Sequence, residues 1–329
     1  MVVFRPSFGG ARGSLYGLSS GIQVRKAPSS CTEQEWLELL QGMYPIGEIK
    51  AMRRLWLDAA SVSEDSEHLD EGSMHPSWTR LLHGEPIQYV LGKAYFMGLE
   101  LSVGPGVLIP RSETEELVEW VLSDPKVKTS MENGYNSGNP TFLDLGTGSG
   151  CIALALAKHL TNSEVIALDC EDQALHIAKG NAMAWGVSAR FQIYKADFMA
   201  SEWKAPEARF WISNPPYIAR EAAATMDKHI IDFEPSVALF APGSHPLEVY
   251  RTLIMAFLAS DSAECFWMEL NPRYAIDIVR LVDEVDEVES QDLLAMDNPE
   301  WCGENKRLDW SLRKDMQGQW RMLRILQKI

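Results

Sequence analysis

A chain of 329 residues that is 46% hydrophobic and 23% charged is an ordinary globular composition, long enough for one large α/β domain and a smaller companion. A formal net charge of -16 and a pI of about 4.9 argue against a protein built to grip nucleic acid, which needs a basic surface to displace counterions, and favour a protein partner. No apolar run approaches the roughly 18 residues of a membrane span, and the 5 cysteines, odd in number and without a C-x-x-C pair, give neither a disulfide framework nor a metal-ligand spacing.

The first thirty residues carry Arg5, Arg12, Arg25 and Lys26 among serines, with no acid before Glu33. That composition predicts an organellar transit peptide over 1–30, addressed to a mitochondrion or chloroplast; an unaddressed tail is the alternative. Residues 31–83 read as a small helical domain. Ser30 or Thr32 caps its first helix, Glu33 and Glu35 favour the first turn, and Trp36, Leu39 and Leu40 recur at helical spacing. A second apolar pattern runs from Ile46 to Trp56, a polar loop spans 61–77, and a third helical segment runs from Trp78 to Leu82.

Residues 84–106 read as a β-hairpin linker, with Leu99, Leu101 and Val103 on one strand face. After the stiff loop G-P-G-V-L-I-P-R, Ser112 and Glu115 have capping-box spacing for a helix, and the Gly/Asn/Ser-rich stretch 128–140 reads as a loop. From Pro140 strands at 141–145, 164–168, 190–194, 209–213 and 264–270 alternate with helices at 151–160, 172–185, 247–260 and 274–285. Such alternation over 107–329 predicts a mostly parallel α/β sheet covered on both faces, with ligands beyond the carboxyl ends of the strands.

T-F-L-D-L-G-T-G-S-G at 141–150 is a strand breaking into a glycine turn and a helix. Gly146, Gly148 and Gly150 allow close backbone approach, and the third glycine comes one residue early for a dinucleotide dehydrogenase. Asp169, closing the next strand, suits two ribose hydroxyls. Asp197 suits an adenine amino group, and Phe198 its ring. Asp144 either meets a cofactor amino group or holds the loop.

I-S-N-P-P-Y at 212–217 follows the fourth strand of this run, and its two prolines fix a rigid loop at the ligand edge. An amide-like nitrogen is a poor nucleophile because its lone pair is delocalised. Asn214 offers a side-chain oxygen and Pro215 a carbonyl, two acceptors that aim such a nitrogen, and Tyr217 packs against the planar group. This is catalysis by orientation and preorganisation.

D-L-G-T-G-S-G combined with N-P-P-Y resembles class I methyltransferases that act on planar nitrogens. E-P-I-Q-Y-V-L-G at 85–92, V-L-I-P-R-S-E-T-E-E-L-V at 107–118, E-P-S-V-A-L-F at 234–240, L-E-V-Y-R at 247–251 and R-K-D-M-Q-G-Q-W-R at 313–321 narrow the resemblance to the HemK/PrmC family. The resemblance covers roughly 80–329. It implies a class I S-adenosylmethionine-dependent, Rossmann-like fold behind a small helical domain, and N5-methylation of the glutamine in the G-G-Q motif of class 1 peptide-chain release factors. It implies S-adenosyl-L-methionine held by Asp144, Gly146, Thr147, Gly148, Gly150, Asp169, Asp197, Phe198 and Asn214. Substrate is then held by Arg111, Glu113, Asn214, Pro215, Pro216 and Tyr217, with Asn214, Pro215 and Tyr217 catalytic, no metal, and no stable nucleic-acid or membrane partner. Ser112 stands where the family carries a second proline. The rival reading is an adenine-N6 methyltransferase of DNA or RNA, which shares the N-P-P-Y chemistry but must extract a base.

Overall fold

The computed structural model describes residues 27–60, 75–137, 139–243, 245–286, 300–304 and 307–328. Most of the stretch read as a transit peptide, residues 1–26, lies outside them.

Three helices open the described chain: α1 (Glu33–Leu40), α2 (Ile46–Ala60) and α3 (Pro76–Leu82). Thr32 caps α1 in a full capping box, its hydroxyl accepting from the Glu35 amide while Glu35 returns to the Thr32 amide. The three helices pack through Trp36, Ile49, Met52, Trp56 and Trp78, and the Trp36 and Trp78 rings meet edge to face at 4.8 Å. A short helix α4 (Ile87–Leu91) extends this cluster through Ile87.

The linker is a helix followed by a hairpin, since the first half of the predicted hairpin is α4. Strands β1 (Lys93–Phe96) and β2 (Leu99–Ser102) pair antiparallel around Met97 and Gly98, both at positive φ, as a two-residue hairpin turn requires. Asn181 fixes the hairpin to the larger domain. It accepts from the Ser102 amide at 2.8 Å and donates to the carbonyls of Ser102 and Ser149.

Helix α5 (Ser112–Ser123) starts at Ser112, so the expected capping box at Ser112 and Glu115 is not formed. Arg111 is the N-cap; Ser112 Oγ donates to Glu113, and Glu115 accepts from the Met97 amide of the hairpin. The stretch 128–140 also departs from the sequence reading, because α6 (Pro125–Ser137) fills most of it. Asp124 accepts from the Lys126 amide, Pro125 occupies the first helical position, and Val127 and Ser130 are buried one turn apart. Those start signals outweigh the loop-like composition further along.

The remaining elements are β3 (Thr141–Leu145), α7 (Cys151–His159), β4 (Glu164–Asp169), α8 (Asp172–Ala184), β5 (Phe191–Lys195), β6 (Phe210–Ser213), α9 (Lys228–Phe233), α10 (Ser236–Leu239), α11 (Leu247–Leu258), β7 (Cys265–Glu269), α12 (Ala275–Val285), β8 (Glu300–Glu304), β9 (Leu308–Lys314) and β10 (Trp320–Gln327). The eight-stranded sheet has the order β5-β4-β3-β6-β7-β10-β9-β8. Its first five strands are parallel and its last three antiparallel. Successive residues of each central strand enter opposite cores. Phe142, Ile212 and Trp267 pack under α5 and α7, whereas Leu143, Trp211 and Phe266 pack under α11 and α12. The antiparallel strands were not read from sequence, although Leu308, Trp310 and Leu312 show the alternation. Among the described residues no helix is long and apolar enough to cross a membrane.

Strand order reverses between β3 and β6, so the crevice beyond their carboxyl ends is where a doubly wound sheet binds ligands. The loop before α5 is pinned over this crevice by Glu234, which accepts from the Ile109 amide and, at 2.7 and 2.8 Å, from Arg111 Nη2. Glu234 is buried, at 2% exposed, and Arg111 is largely covered, at 14%. Replacing Glu234 by Ala strands a largely covered guanidinium and is expected to cost on the order of 3 kcal/mol. Urea midpoints would show it, and an Arg111→Met, Glu234→Leu double variant is expected to lose less than Glu234→Ala alone.

Candidate active site

Strand β3 delivers its last residues into a turn where Gly146, Gly148 and Gly150 have φ of 78°, 55° and 82°. At Gly150 a Cβ would lie 3.1 Å from the Ala178 Cβ and 3.3 Å from its Cα, so a side chain would push α7 and α8 apart. The Gly146 and Thr147 amides both donate to the Leu168 carbonyl, tying the turn to β4. Asp144 is fully buried and accepts from Thr147 Oγ1 at 2.6 Å and the Ala153 amide at 3.2 Å. Of the two roles open to it, holding the loop is the one made here. Its Oδ1 has no protein partner, and burial pushes the carboxyl up to about 7.

Beyond the turn lies a cavity of about 290 Å³, lined by Gly146, Gly148, Asp169, Asp197, Phe198 and Asn214. Asp144, Thr147 and Gly150 stand behind the turn and shape the cavity without forming its wall. Asp169 is raised above the usual carboxylate range by burial, and its oxygens accept from the Gly148 amide at 2.9 Å and the Glu171 amide at 3.0 Å. Each oxygen keeps a further lone pair, which is what a vicinal diol needs. Asp197 Oδ1 accepts from the Met199 amide, while the buried Phe198 ring lies against the glycine turn. Leu108 and Val237 add an apolar wall. A strand-end carboxylate with lone pairs to spare for a ribose, and an apolar slot beside it for adenine, fit S-adenosylmethionine.

A second cavity of about 260 Å³ is lined by Arg111, Glu113, Asn214, Pro215, Tyr217 and Glu269. The two cavities share Leu108, Asn214 and Ala238. Pro216, read as a substrate contact, faces the first cavity instead. Pro215 lines the second cavity and Pro216 the first, so the rigid pair stands between the two. After Tyr217, Ile218 bridges to Phe240, so the N-P-P-Y loop and the segment carrying α10 form one wall.

Behind Asn214 runs a chain of hydrogen bonds. Asn214 Nδ2 donates to Thr114 Oγ1 at 3.0 Å, Thr114 Oγ1 donates to Glu269 Oε2 at 2.6 Å, and the Tyr217 hydroxyl donates to Glu269 Oε1 at 2.9 Å. Burial raises the Glu269 carboxyl, opposed by these two donors and by the Arg321 charge. Burial and the Glu269 carboxylate hold the Tyr217 phenol well above its ordinary range. Arg321 also lines the second cavity and is braced by Asp315, Nε to Oδ2 at 3.1 Å. Sequence reasoning missed Glu269 and Arg321. An acid closing the apolar run C-F-W-M-E was the available signal for Glu269, parallel to Asp169 at the end of β4.

A doubly wound sheet with a glycine turn, a carboxylate closing the next strand and N-P-P-Y at the switch point defines a class I methyltransferase. Residues 130–236 match the family model "Methyltransferase small domain". The catalytic domain of hMettl16, solved with the MAT2A 3'UTR hairpin 6, shares the fold at a TM-score of 0.50 and 15% identity, over 82% of this chain and 91% of that one. In sequence, the chain is 32% identical over 256 residues to the release factor glutamine methyltransferase of Bacteroides thetaiotaomicron, covering 74% of this chain and 87% of that protein. It is 36% identical over 207 residues to that of Chlorobaculum tepidum, covering 61% of this chain and 68% of the relative. The chain belongs to the release factor glutamine methyltransferase family.

Replacing Asp169 by Ala removes the carboxylate expected to meet the ribose and a brace of the glycine turn. Cofactor affinity measured by calorimetry is expected to fall at least about tenfold, the worth of a hydrogen bond to a charged group; an unchanged dissociation constant would exclude Asp169 from the site.

Proposed function

We propose that this chain methylates the side-chain amide nitrogen of the G-G-Q glutamine in a class 1 peptide-chain release factor, with S-adenosyl-L-methionine as donor. The observation that carries this reading is the position of Asn214 on the walls of both cavities, so that one side chain borders the donor and the acceptor. Bound S-adenosylmethionine supplies an electrophilic methyl group on its sulfonium. Asp169 and Asp197 hold the nucleoside end, and Phe198 packs beside it. Asn214 Oδ1 and the Pro215 carbonyl accept the two amide hydrogens, which orients the nitrogen toward the donor cavity. Tyr217 bounds the planar group on one side. No strong base is needed, because the amide nitrogen sheds its extra proton readily once it has become alkylated and cationic. The rate advantage comes from alignment and preorganisation.

The negative total charge supports a protein acceptor over DNA or RNA, and the 32–38% identities to release factor enzymes support the release factor in particular. The acid-free, Arg- and Ser-bearing stretch up to residue 30 supports an organellar partner, in a mitochondrion or chloroplast. A fluorescent protein fused behind residues 1–30 would report the address; diffuse cytosolic signal would overturn it.

Labelled S-adenosylmethionine is expected to mark a recombinant organellar release factor and leave its G-G-Q Gln→Ala variant unmarked. Label on DNA or RNA, with none on the release factor, would install the adenine-N6 reading. Asn214→Ala is expected to lower turnover by on the order of 10² or more while cofactor affinity holds. Near-normal turnover in that variant would remove the nitrogen clamp.

A further inference from the structure

An asparagine that holds an amide hydrogen must present its oxygen, yet a carboxamide can turn over and present its NH₂ with no change of shape. In the open cavity nothing but the asparagine's own partners decides which. Here the decision is made two groups away. Glu269 is buried, at 1% exposed, and the donors on it and the Arg321 charge beside it oppose the effect of burial and favour the ionised carboxylate, which accepts only. It receives one donor on each oxygen, Thr114 on Oε2 and Tyr217 on Oε1. Thr114 has a single hydroxyl hydrogen, and at 2.6 Å from Oε2 that hydrogen is committed to Glu269. The lone pairs of Thr114 Oγ1 are then what Asn214 meets at 3.0 Å, and only its NH₂ can answer them.

We propose that Thr114 and Glu269 are positioning residues: the Glu269 carboxylate fixes the direction of the Thr114 hydroxyl, which holds the Asn214 carboxamide with Oδ1 toward the acceptor nitrogen, and the same carboxylate anchors Tyr217. This deepens the amide-methylation reading and rests on it for its catalytic consequence. Their bonds run to the clamp side chains Asn214 and Tyr217. They act by keeping two clamp side chains in one arrangement, so that their orientation is set before the substrate arrives. The relay joins three distant parts of the chain, the first turn of α5, the N-P-P-Y loop and the end of β7, at the junction where the two cavities meet.

Thr114→Val removes the hydroxyl while keeping the shape, and Thr114→Ser restores the hydroxyl without the methyl. Thr114→Val is expected to lower kcat for release factor methylation 10- to 100-fold, with KM and cofactor affinity within about twofold of wild type. Thr114→Ser is expected to recover most of kcat. Equal kcat in wild type and Thr114→Val, or loss of cofactor binding in Thr114→Val, or a Thr114→Ser variant no better than Thr114→Val, would each overturn the proposal. A second measurement needs no substrate. The Asn214 side-chain NH₂ resonances, assigned by their loss in Asn214→Ala, are expected to show one hydrogen-bonded proton in wild type and Thr114→Ser that moves upfield in Thr114→Val. An unchanged shift overturns the relay whatever the acceptor proves to be. Failure of wild type to label the release factor, with the shift moving as expected, falls on the function reading and leaves the relay supported.

Discussion

Everything polar in this protein's centre depends on one topological constraint, the reversal of strand order beside β3. Parallel strands whose faces are both buried have no place for a charge along their length. Polar side chains therefore collect at the strand ends, and the reversal opens a crevice at the carboxyl ends that the flanking helices cannot fill. Asp169, Asn214 and Glu269 each close or follow a strand. They come from β4, β6 and β7, yet they surround two joined cavities because the sheet aligns those ends. The antiparallel strands β9 and β10 add to the same edge, since β10 brings Arg321 to the wall of the acceptor cavity and Asp315, in the turn before it, braces that guanidinium.

The carboxylates in the crevice do different work because their surroundings differ. Asp169 has backbone donors and an open side, which leaves lone pairs for a ligand. Asp144, one strand away, is sealed beneath the glycine turn, where its bonds to Thr147 and Ala153 make the loop rigid. Glu269 is sealed as well, but its two donors are side chains of the neighbouring site. Burial raises all three carboxyls. The distinction lies in where the bonding partners sit: on the glycine turn and the start of α7 for Asp144, and on side chains beside Asn214 for Glu269.

Much of this was legible in the sequence where the signal is local. The turn at 146–150 and the N-P-P-Y loop are punctuated by glycine and proline, whose backbone limits do not depend on the rest of the fold, and both lie where the pattern puts them. The α1 capping box is equally local. The misreadings share the opposite property. Ser112 and Glu115 have capping-box spacing, but the Met97 amide, from another element, takes Glu115. The composition of 128–140 suggests a loop, but Asp124 and Pro125 start a helix upstream, and buried Val127 and Ser130 hold its first turns. Pro216 and Pro215 are neighbours in sequence yet serve different cavities.

Glu269 shows why part of a site escapes a reading of motifs. Its partners are 155 residues upstream at Thr114 and 52 upstream at Tyr217, so no window of sequence contains the relay. The motif residues face the ligand and carry recognisable chemistry, whereas a residue that sets their orientation needs only to be an acceptor in the right place. Any buried strand-end acid satisfies that on sequence grounds, and only the folded geometry distinguishes Glu269 from an acid that merely ends a strand. An amide methyltransferase depends on such residues more than a base-catalysed enzyme does. It gains little from shifting a proton and much from the angle at which a weak nucleophile is held, and an angle is fixed by the groups behind the clamp as firmly as by the clamp itself.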